Sequence, residues 1–192
     1  MTAPWSYPLT EAGRAQAQAV AATLPRIETA RLVLRAPVIG DFGLWTAIAC
    51  TERGVNIGGP MSQAEAWDDF CRAVAVWLLR GHGLWSVTTR DGTLQGFVLV
   101  GFEPEDAEPE LGYLFAAEAE GKGYATEAAA AARDWALGTL GTLALVSYVA
   151  PGHAASAAVA LRLGAVRDLA AESAFADDPV WVFRHHPQEV AR

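Results

Sequence analysis

The segment that most restricts what this chain can fold into runs from Glu110 to Ala128. It reads Glu-Leu-Gly-Tyr-Leu-Phe, a short spacer, and then Glu-Gly-Lys-Gly-Tyr-Ala-Thr-Glu-Ala. Glu110 to Phe115 has the pattern of a short strand, and Gly121 to about Leu137 that of a helix fronted by glycine. Two glycines one residue apart at a helix start leave several backbone N–H groups free and unobstructed. Those donors, with the positive end of the helix dipole, form a site for a phosphate-type anion. Lys122, the only lysine beside thirteen arginines, adds a cation inside the loop. Glycine spacing alone is equally compatible with a tight strand-to-helix turn. A dinucleotide fold needs a third glycine where Thr126 stands, and a Walker loop needs Ser or Thr where Gly123 stands, so both nucleotide readings are weak. The unbroken row Ala128 to Ala132 permits close approach of the helix to a sheet, although alanine also simply favours helix.

The rest of the chain supplies that sheet. Thr29 to Arg35 alternates, with Leu32 and Leu34 on one face and Arg31, Val33 and Arg35 on the other. Asp41 to Cys50 is helical, and Thr51 to Pro60 is a glycine-rich loop or broken helix. Ser62 and Glu65 form a capping box for a helix whose core-facing stripe is Trp67, Phe70, Cys71, Val74 and Leu78, stopping at Gly81-His82-Gly83. A hairpin follows, with Asp91-Gly92 as its turn and Leu94 to Val100 as its returning strand. Beyond the glycine-fronted helix come a buried strand over Leu143–Val149, a small-residue helix over Ala154–Leu163 closed by Gly164, and strands over Ala165–Leu169 and Val180–Arg184. Residues 1–26 read as a helical arm capped by Thr10 and running to about Leu24. Residues 27–187 read as one mixed α/β domain, and 188–192 as a tail.

Charge narrows the function classes. Fourteen Lys+Arg against 22 Asp+Glu give a formal charge of −8, which argues against a nucleic-acid or anionic-membrane binder. No run approaches the ~20 apolar residues of a spanning helix, and Gln16 and Gln18 interrupt the N-terminal alanines where a signal sequence would be apolar. The expected location is the cytoplasm. Cys50 and Cys71 are too few and too far apart for a disulfide framework or zinc site, and no metal is expected. His82 and His185-His186 read as solvated, Cys71 as a core residue, and Tyr124 and Tyr148 as packing residues. Trp45, Trp67, Trp77 and Trp85 read as core aromatics, with the roof of an acceptor pocket as the alternative.

Gly-Lys-Gly-Tyr-Ala-Thr-Glu-Ala resembles the acyl-CoA pyrophosphate loop of GNAT-superfamily N-acetyltransferases, nearest the branch that includes ribosomal-protein N-terminal acetyltransferases. Thr29-Ala-Arg-Leu-Val-Leu-Arg35 is similar to that branch's opening strand, and Glu110-Leu-Gly-Tyr to its central strand. Val149 to Ala165 is similar to its second CoA-side helix. The resemblance covers about Ile27 to Arg184. It implies a GNAT-like twisted, mostly antiparallel central sheet flanked by helices, with a splayed parallel strand pair forming the acyl-CoA cleft.

The resemblance also implies acetyl-CoA as co-substrate and an amine acceptor, either a protein or peptide N-terminus or a small molecule. The protein would be a monomer or homodimer. Backbone N–H groups of Gly121, Lys122, Gly123, Tyr124, Ala125 and Thr126 would hold the pyrophosphate, and the backbone around Leu114 and Phe115 would pair with the pantetheine arm. The family usually has Gln or Arg where Glu120 stands, and a carboxylate there is unfavourable beside a pyrophosphate unless it points away. The amine attacks the thioester directly, so no nucleophilic triad is needed. Glu110 is the candidate base, with a structural carboxylate paired to an arginine as the alternative. The position of the family's acid tyrosine is Ala160, and its usual asparagine is His153. Ser156 remains as a group able to bond to or protonate the leaving sulfur, and His153 either takes over the asparagine's cofactor contacts, acts as an acid, or is simply exposed. A non-catalytic acyl-CoA-binding module using the same cleft is the other reading.

Overall fold

The computed structural model describes residues 3–103, 106–141, 144–175 and 177–186. Helix α1 (Glu11–Ala21) precedes strands β1 (Ile27–Glu28) and β2 (Leu32–Arg35), and helices α2 (Phe42–Ala49) and α3 (Gln63–Arg80) follow. Strands β3 (Leu84–Thr89), β4 (Leu94–Gly101) and β5 (Glu110–Phe115) lead to α4 (Tyr124–Thr139), β6 (Val146–Val149) and α5 (Ala154–Arg162). The chain closes with β7 (Val166–Arg167), a single turn α6 (Leu169–Glu172) and β8 (Trp181–Arg184). The strands form one sheet in the order β1-β2-β3-β4-β5-β6-β8-β7, and every pairing is antiparallel except β5–β6. The fold class expected from the sequence is the one observed.

Local chemistry sets several boundaries. Thr10 caps α1 by accepting from the Gly13 N–H at 3.0 Å. The α3 box is complete, with the Glu65 N–H bonded to Ser62 Oγ at 3.3 Å and the Ser62 N–H bonded to Glu65 Oε2 at 2.8 Å. Two cores form. On one face α4 lays Ala128, Ala129, Ala132 and Ala136 on Leu32, Leu34, Val98 and Leu111. On the other, α2 and α3 seat Phe42, Trp45 and Phe70 over Leu84 and Phe97. Trp77, Trp85 and Trp135 join edge to face, at centroid separations of 4.6, 5.1 and 5.7 Å. Trp85 Nε1 donates to the Pro25 carbonyl at 2.8 Å, which ties the segment before β1 to the sheet. Helix α1 itself buries no residue.

Several expectations need correction. The buried stripe of α3 is Ala66, Phe70, Ala73 and Trp77, so Leu78 is 76% exposed and Cys71 is exposed rather than in the core. The small alanines bring the helix close to the sheet, and Trp67 and Val74 are left at the edge of that contact. Val33 is buried like Leu32 and Leu34, because helices cover both faces of the sheet. Residues 29–31 turn between two antiparallel strands and contact α4, so the predicted strand Thr29–Arg35 shortens to β2, and β1 precedes it as a separate strand. Past β7 the chain turns into α6, which Asp168 caps. His82 and His185 are buried, not solvated, because each finds a polar partner inside. His82 Nδ1 lies 2.7 Å from the Val100 carbonyl, and His185 Nε2 lies 3.0 Å from Ser147 Oγ. The predicted positions Leu143, Glu105 and 187–192 lie outside the described residues.

Candidate active site

The loop between β5 and α4 turns on Gly121 (φ 72°) and Gly123 (φ 76°), a left-handed backbone that other residues rarely adopt. The first bond into α4 runs from the Glu127 N–H to the Gly123 carbonyl, and no side chain caps the helix. The N–H groups of the first turn are therefore free to bind an anion. A distant segment fixes the loop. Glu127 accepts from Thr29 Oγ1 at 2.6 Å, from the Arg31 N–H at 2.9 Å and from Arg31 Nε at 2.6 Å. Arg31 also donates to the Lys122 carbonyl at 2.9 Å and stacks over the Tyr124 ring at 4.9 Å. Burial alone would raise the Glu127 pKa, but these bonds outweigh it and hold the group ionised. Its charge is thus spent on the scaffold.

The parallel pair β5–β6 is in ladder register at Glu110 and Val146, where the Val146 N–H bonds to the Pro109 carbonyl at 3.0 Å. Beyond that point Ser147 Oγ donates to the Leu111 carbonyl at 2.7 Å and buried His185 backs the serine. Burial and nearby Arg133 push the His185 pKa down to about 4, so the imidazole stays neutral. The strands then part. In the antiparallel ladder to β4, alternate residues of β5 turn their backbone groups outward. The carbonyls of Leu111 and Phe115 both accept bonds from the open side, from Ser147 and from Arg53. Tyr113 shares their edge, whereas Leu114 pairs towards β4 and presents its side chain to the opening.

Two hollows meet here. A cleft of about 950 Å3 runs along the first turn of α4, the β5 edge and α5, between Arg31, Gly121, Gly123, Thr126 and Arg162. A cavity of about 130 Å3 lies on the far side of β5, bounded by Trp45, Asp69, Phe97, Glu103, Glu110 and Tyr148. Arg53, Tyr113, Leu114, His153 and Ser156 border both. Burial pushes the Glu110 pKa up to about 8, reinforced by the charges of Asp106 and Glu103. Among the described residues no arginine forms an ion pair with Glu110, because Arg72 is taken by Asp69 and Glu103. Gly112 keeps the strand face beside this carboxyl open, since a Cβ there would meet Glu110 Oε1 at 3.6 Å. The Tyr113 hydroxyl donates to the Ser156 carbonyl at 2.8 Å and accepts from Ser156 Oγ at 3.2 Å. Burial raises the tyrosine pKa and lowers that of His153, so both are neutral near pH 7.

Most of the positions picked from the sequence converge on these hollows. Lys122 is the exception among the loop residues: its side chain is exposed, with Nζ 5.9 Å from the centre of the Tyr124 ring, and it does not border the cleft. His153 is half-buried at the junction rather than exposed. Tyr148 borders the small cavity while packing on Phe175, and of the four named tryptophans Trp45 alone does so among the described residues. Ala160 is fully buried against Val149 and Phe183, away from the cleft. Tyr113 and Arg53 received no role from the sequence. The tyrosine was within a recognised motif, but no local pattern marks the arginine.

The chain matches the family described as Acetyltransferase (GNAT) domain over residues 31–166. No curated protein sequence is recognisably similar to it. Among solved structures, an acetyltransferase from Agrobacterium tumefaciens is 38% identical, with a TM-score of 0.79 over 85% of this chain and 95% of that one. Mycobacterium smegmatis RimJ in complex with CoA-disulfide is 18% identical, with a TM-score of 0.62 over 84% of each chain. The ribosomal L7/L12 alpha-N-protein acetyltransferase RimL, in complex with coenzyme A, is 16% identical, with a TM-score of 0.68 over 85% of this chain and 98% of that one. The last two show likeness of fold.

Proposed function

The chain belongs to the GNAT acetyltransferase family, and from that premise we propose that it moves an acetyl group from acetyl-CoA to a primary amine by direct attack on the thioester. One observation carries the reading. The long cleft and the small cavity meet at Tyr113, His153 and Ser156, with free helix N–H groups at one end and Glu110 at the other. The residues present suit the co-substrate. N–H groups of Gly121 to Thr126 hold the pyrophosphate, and the outward backbone groups of Tyr113 and Phe115 take the pantetheine arm as an added strand. Leu114 contributes its side chain, and Lys122 its main chain. Acetyl-CoA brings the activated acyl group, and the remaining work falls to the chain's own side chains.

With its pKa pushed up to about 8, Glu110 is mostly protonated at pH 7, although the nearby Arg72 charge favours its ionised form. A cationic amine beside it favours loss of the Glu110 proton to solvent. The carboxylate then takes the ammonium proton, directly or through one water, to free the attacking lone pair. The proton shed by nitrogen after attack balances the one taken up by the departing thiolate. Tyr113, kept protonated by burial, and Ser156 would each turn an O–H from its present partner, the Ser156 carbonyl and the Tyr113 oxygen, to the departing sulfur. A thiolate with a pKa near 8.5 needs only modest help. Tyr113 offers a phenol where Ala160 lacks one, which supports the catalytic reading over that of a non-catalytic acyl-CoA module. The fold likeness to an alpha-N-protein acetyltransferase makes a protein α-amine the first acceptor to try, and a small amine the second. Residues 27–187 form the catalytic domain in this reading, residues 1–26 an arm and 188–192 a tail, and the enzyme is cytoplasmic, as a monomer or homodimer. Among the described residues no helix is long and apolar enough to cross a membrane, and no three metal-ligating side chains gather.

The test is amine-dependent release of free CoA thiol across peptides with free N-termini and small amines. The reading requires release with at least one acceptor class. Tight acetyl-CoA binding with no release from any acceptor would leave the binding-module reading in its place.

A further inference from the structure

Arg53 stands where the two hollows join, and nothing in the loop's sequence pattern calls for it. It lies in a short 3-10 turn, Glu52–Ile57, directly after α2. That turn is firmly seated. The Gly54 N–H bonds to the Thr51 carbonyl at 2.8 Å, and the Met61 N–H to the Ala49 carbonyl at 2.8 Å. Gly54 lies so close to α2 that a Cβ there would fall 2.5 Å from the Ala49 carbonyl oxygen. From this support the guanidinium crosses to the other side of the molecule's opening. It donates to the Phe115 carbonyl at 3.0 Å and to Glu120 Oε1 at 2.7 Å, and it borders both the long cleft and the small cavity.

The pair is part-exposed, 39% for the arginine side chain and 63% for the glutamate, so it adds little to stability. Its value lies in the site. Glu120 borders the cleft immediately before the anion-binding glycines, where an uncompensated carboxylate repels a pyrophosphate. Arg53 supplies the compensation from the turn that, with Asn56 and Ile57, lines the small cavity beside Glu110, on what would be the acceptor side, and it fixes the last carbonyl of the β5 edge at the same time.

We infer that Arg53 is a positioning residue for acetyl transfer: it neutralises Glu120 beside the pyrophosphate loop and docks the acceptor-side turn onto the end of β5, so that one side chain supports both cofactor affinity and acceptor placement. This rests on the function proposed above. The two halves of the role separate experimentally, because charge can be restored without restoring the contact to Phe115.

The experiment measures acetyl-CoA affinity by calorimetry, and kcat and KM for an accepted amine, in wild type, Arg53→Ala, Glu120→Gln and the double variant. Arg53→Ala is expected to weaken acetyl-CoA binding about tenfold, a loss that shrinks with added salt. Glu120→Gln alone tightens binding, and in the Arg53→Ala background it recovers most of the loss. Acceptor KM, by contrast, stays raised in the double variant. Equal affinity of Arg53→Ala and the double variant, or wild-type affinity in Arg53→Ala, overturns the charge role. Restoration of acceptor KM by Glu120→Gln overturns the docking role. Failure of the wild type to bind acetyl-CoA at all would instead sink the proposed function, before the variants are compared.

Discussion

Single residues decide the chemistry, and two of them were legible to different degrees. Glu110 stood out from the sequence because it opens the strand before the glycine loop. Its raised pKa did not, since that depends on burial and on Asp106 and Glu103 arriving from a neighbouring loop. Tyr113 lay inside a recognised motif, yet its role depends on a strand and a helix converging so that its hydroxyl reaches Ser156 across 43 positions of sequence. The resemblance directed attention to Ala160, where a phenol would have to displace Val149 and Phe183. Removing the Tyr113 hydroxyl tests this assignment. Tyr113→Phe should lower kcat about tenfold, a modest loss because the thiolate is a fair leaving group, with acetyl-CoA affinity and melting temperature little changed. Unchanged kcat in steady-state assays would move the proton donor elsewhere.

At the scale of elements, the motifs that carried the family resemblance are physically joined. Thr29 and Arg31 bond to Glu127 in the first turn of α4, so the opening segment and the phosphate loop form one assembly. Sequence shows both motifs, but only the fold shows the contact between them. Glu127→Ala should destabilise the protein by about 2 kcal/mol, equivalent to roughly 4–8 °C at this chain length, because it leaves several donors without an acceptor. It should also weaken acetyl-CoA binding as Arg31 loses its anchor. Thermal unfolding and a titration check the two effects together, and a wild-type melting temperature would show that the lock is dispensable. Helix α3 illustrates the opposite case. Its capping box, start and stop were visible in the sequence, whereas its buried face was placed one residue out of register. Hydrophobic bulk marks Trp67, Val74 and Leu78 in the sequence, whereas Ala66 and Ala73 are what allow the close approach. The buried histidines escaped detection for a related reason: their partners are a backbone carbonyl and a serine brought in by other strands.

Across the whole molecule, the group proposed as the base works against the fold. A carboxyl whose pKa rises from its unfolded value to about 8 binds its proton more tightly when folded. Its unfavourable contribution is absent below about pH 4.5 and grows until about pH 8. His185 acts in the other sense: its pKa falls to about 4 on folding, so stability increases as pH rises from about 4 to 6.5. Glu110→Gln should therefore match wild-type stability near pH 4.5 and exceed it by a few kcal/mol above pH 8. The net charge of −8 would favour the approach of the proposed amine acceptor as a cation. The most direct test of the whole is the pH dependence of kcat/KM for the amine, followed by CoA release in wild type and Glu110→Gln. The wild-type rate should climb with pH through about 8, where Glu110 is half ionised, and should follow the acceptor's own ionisation as well. In Glu110→Gln it should fall by about 100-fold or more and follow the acceptor's ionisation alone, at unchanged acetyl-CoA affinity. Superimposable profiles at limiting acceptor would contradict Glu110 as the base and the junction as the place where acetyl transfer occurs.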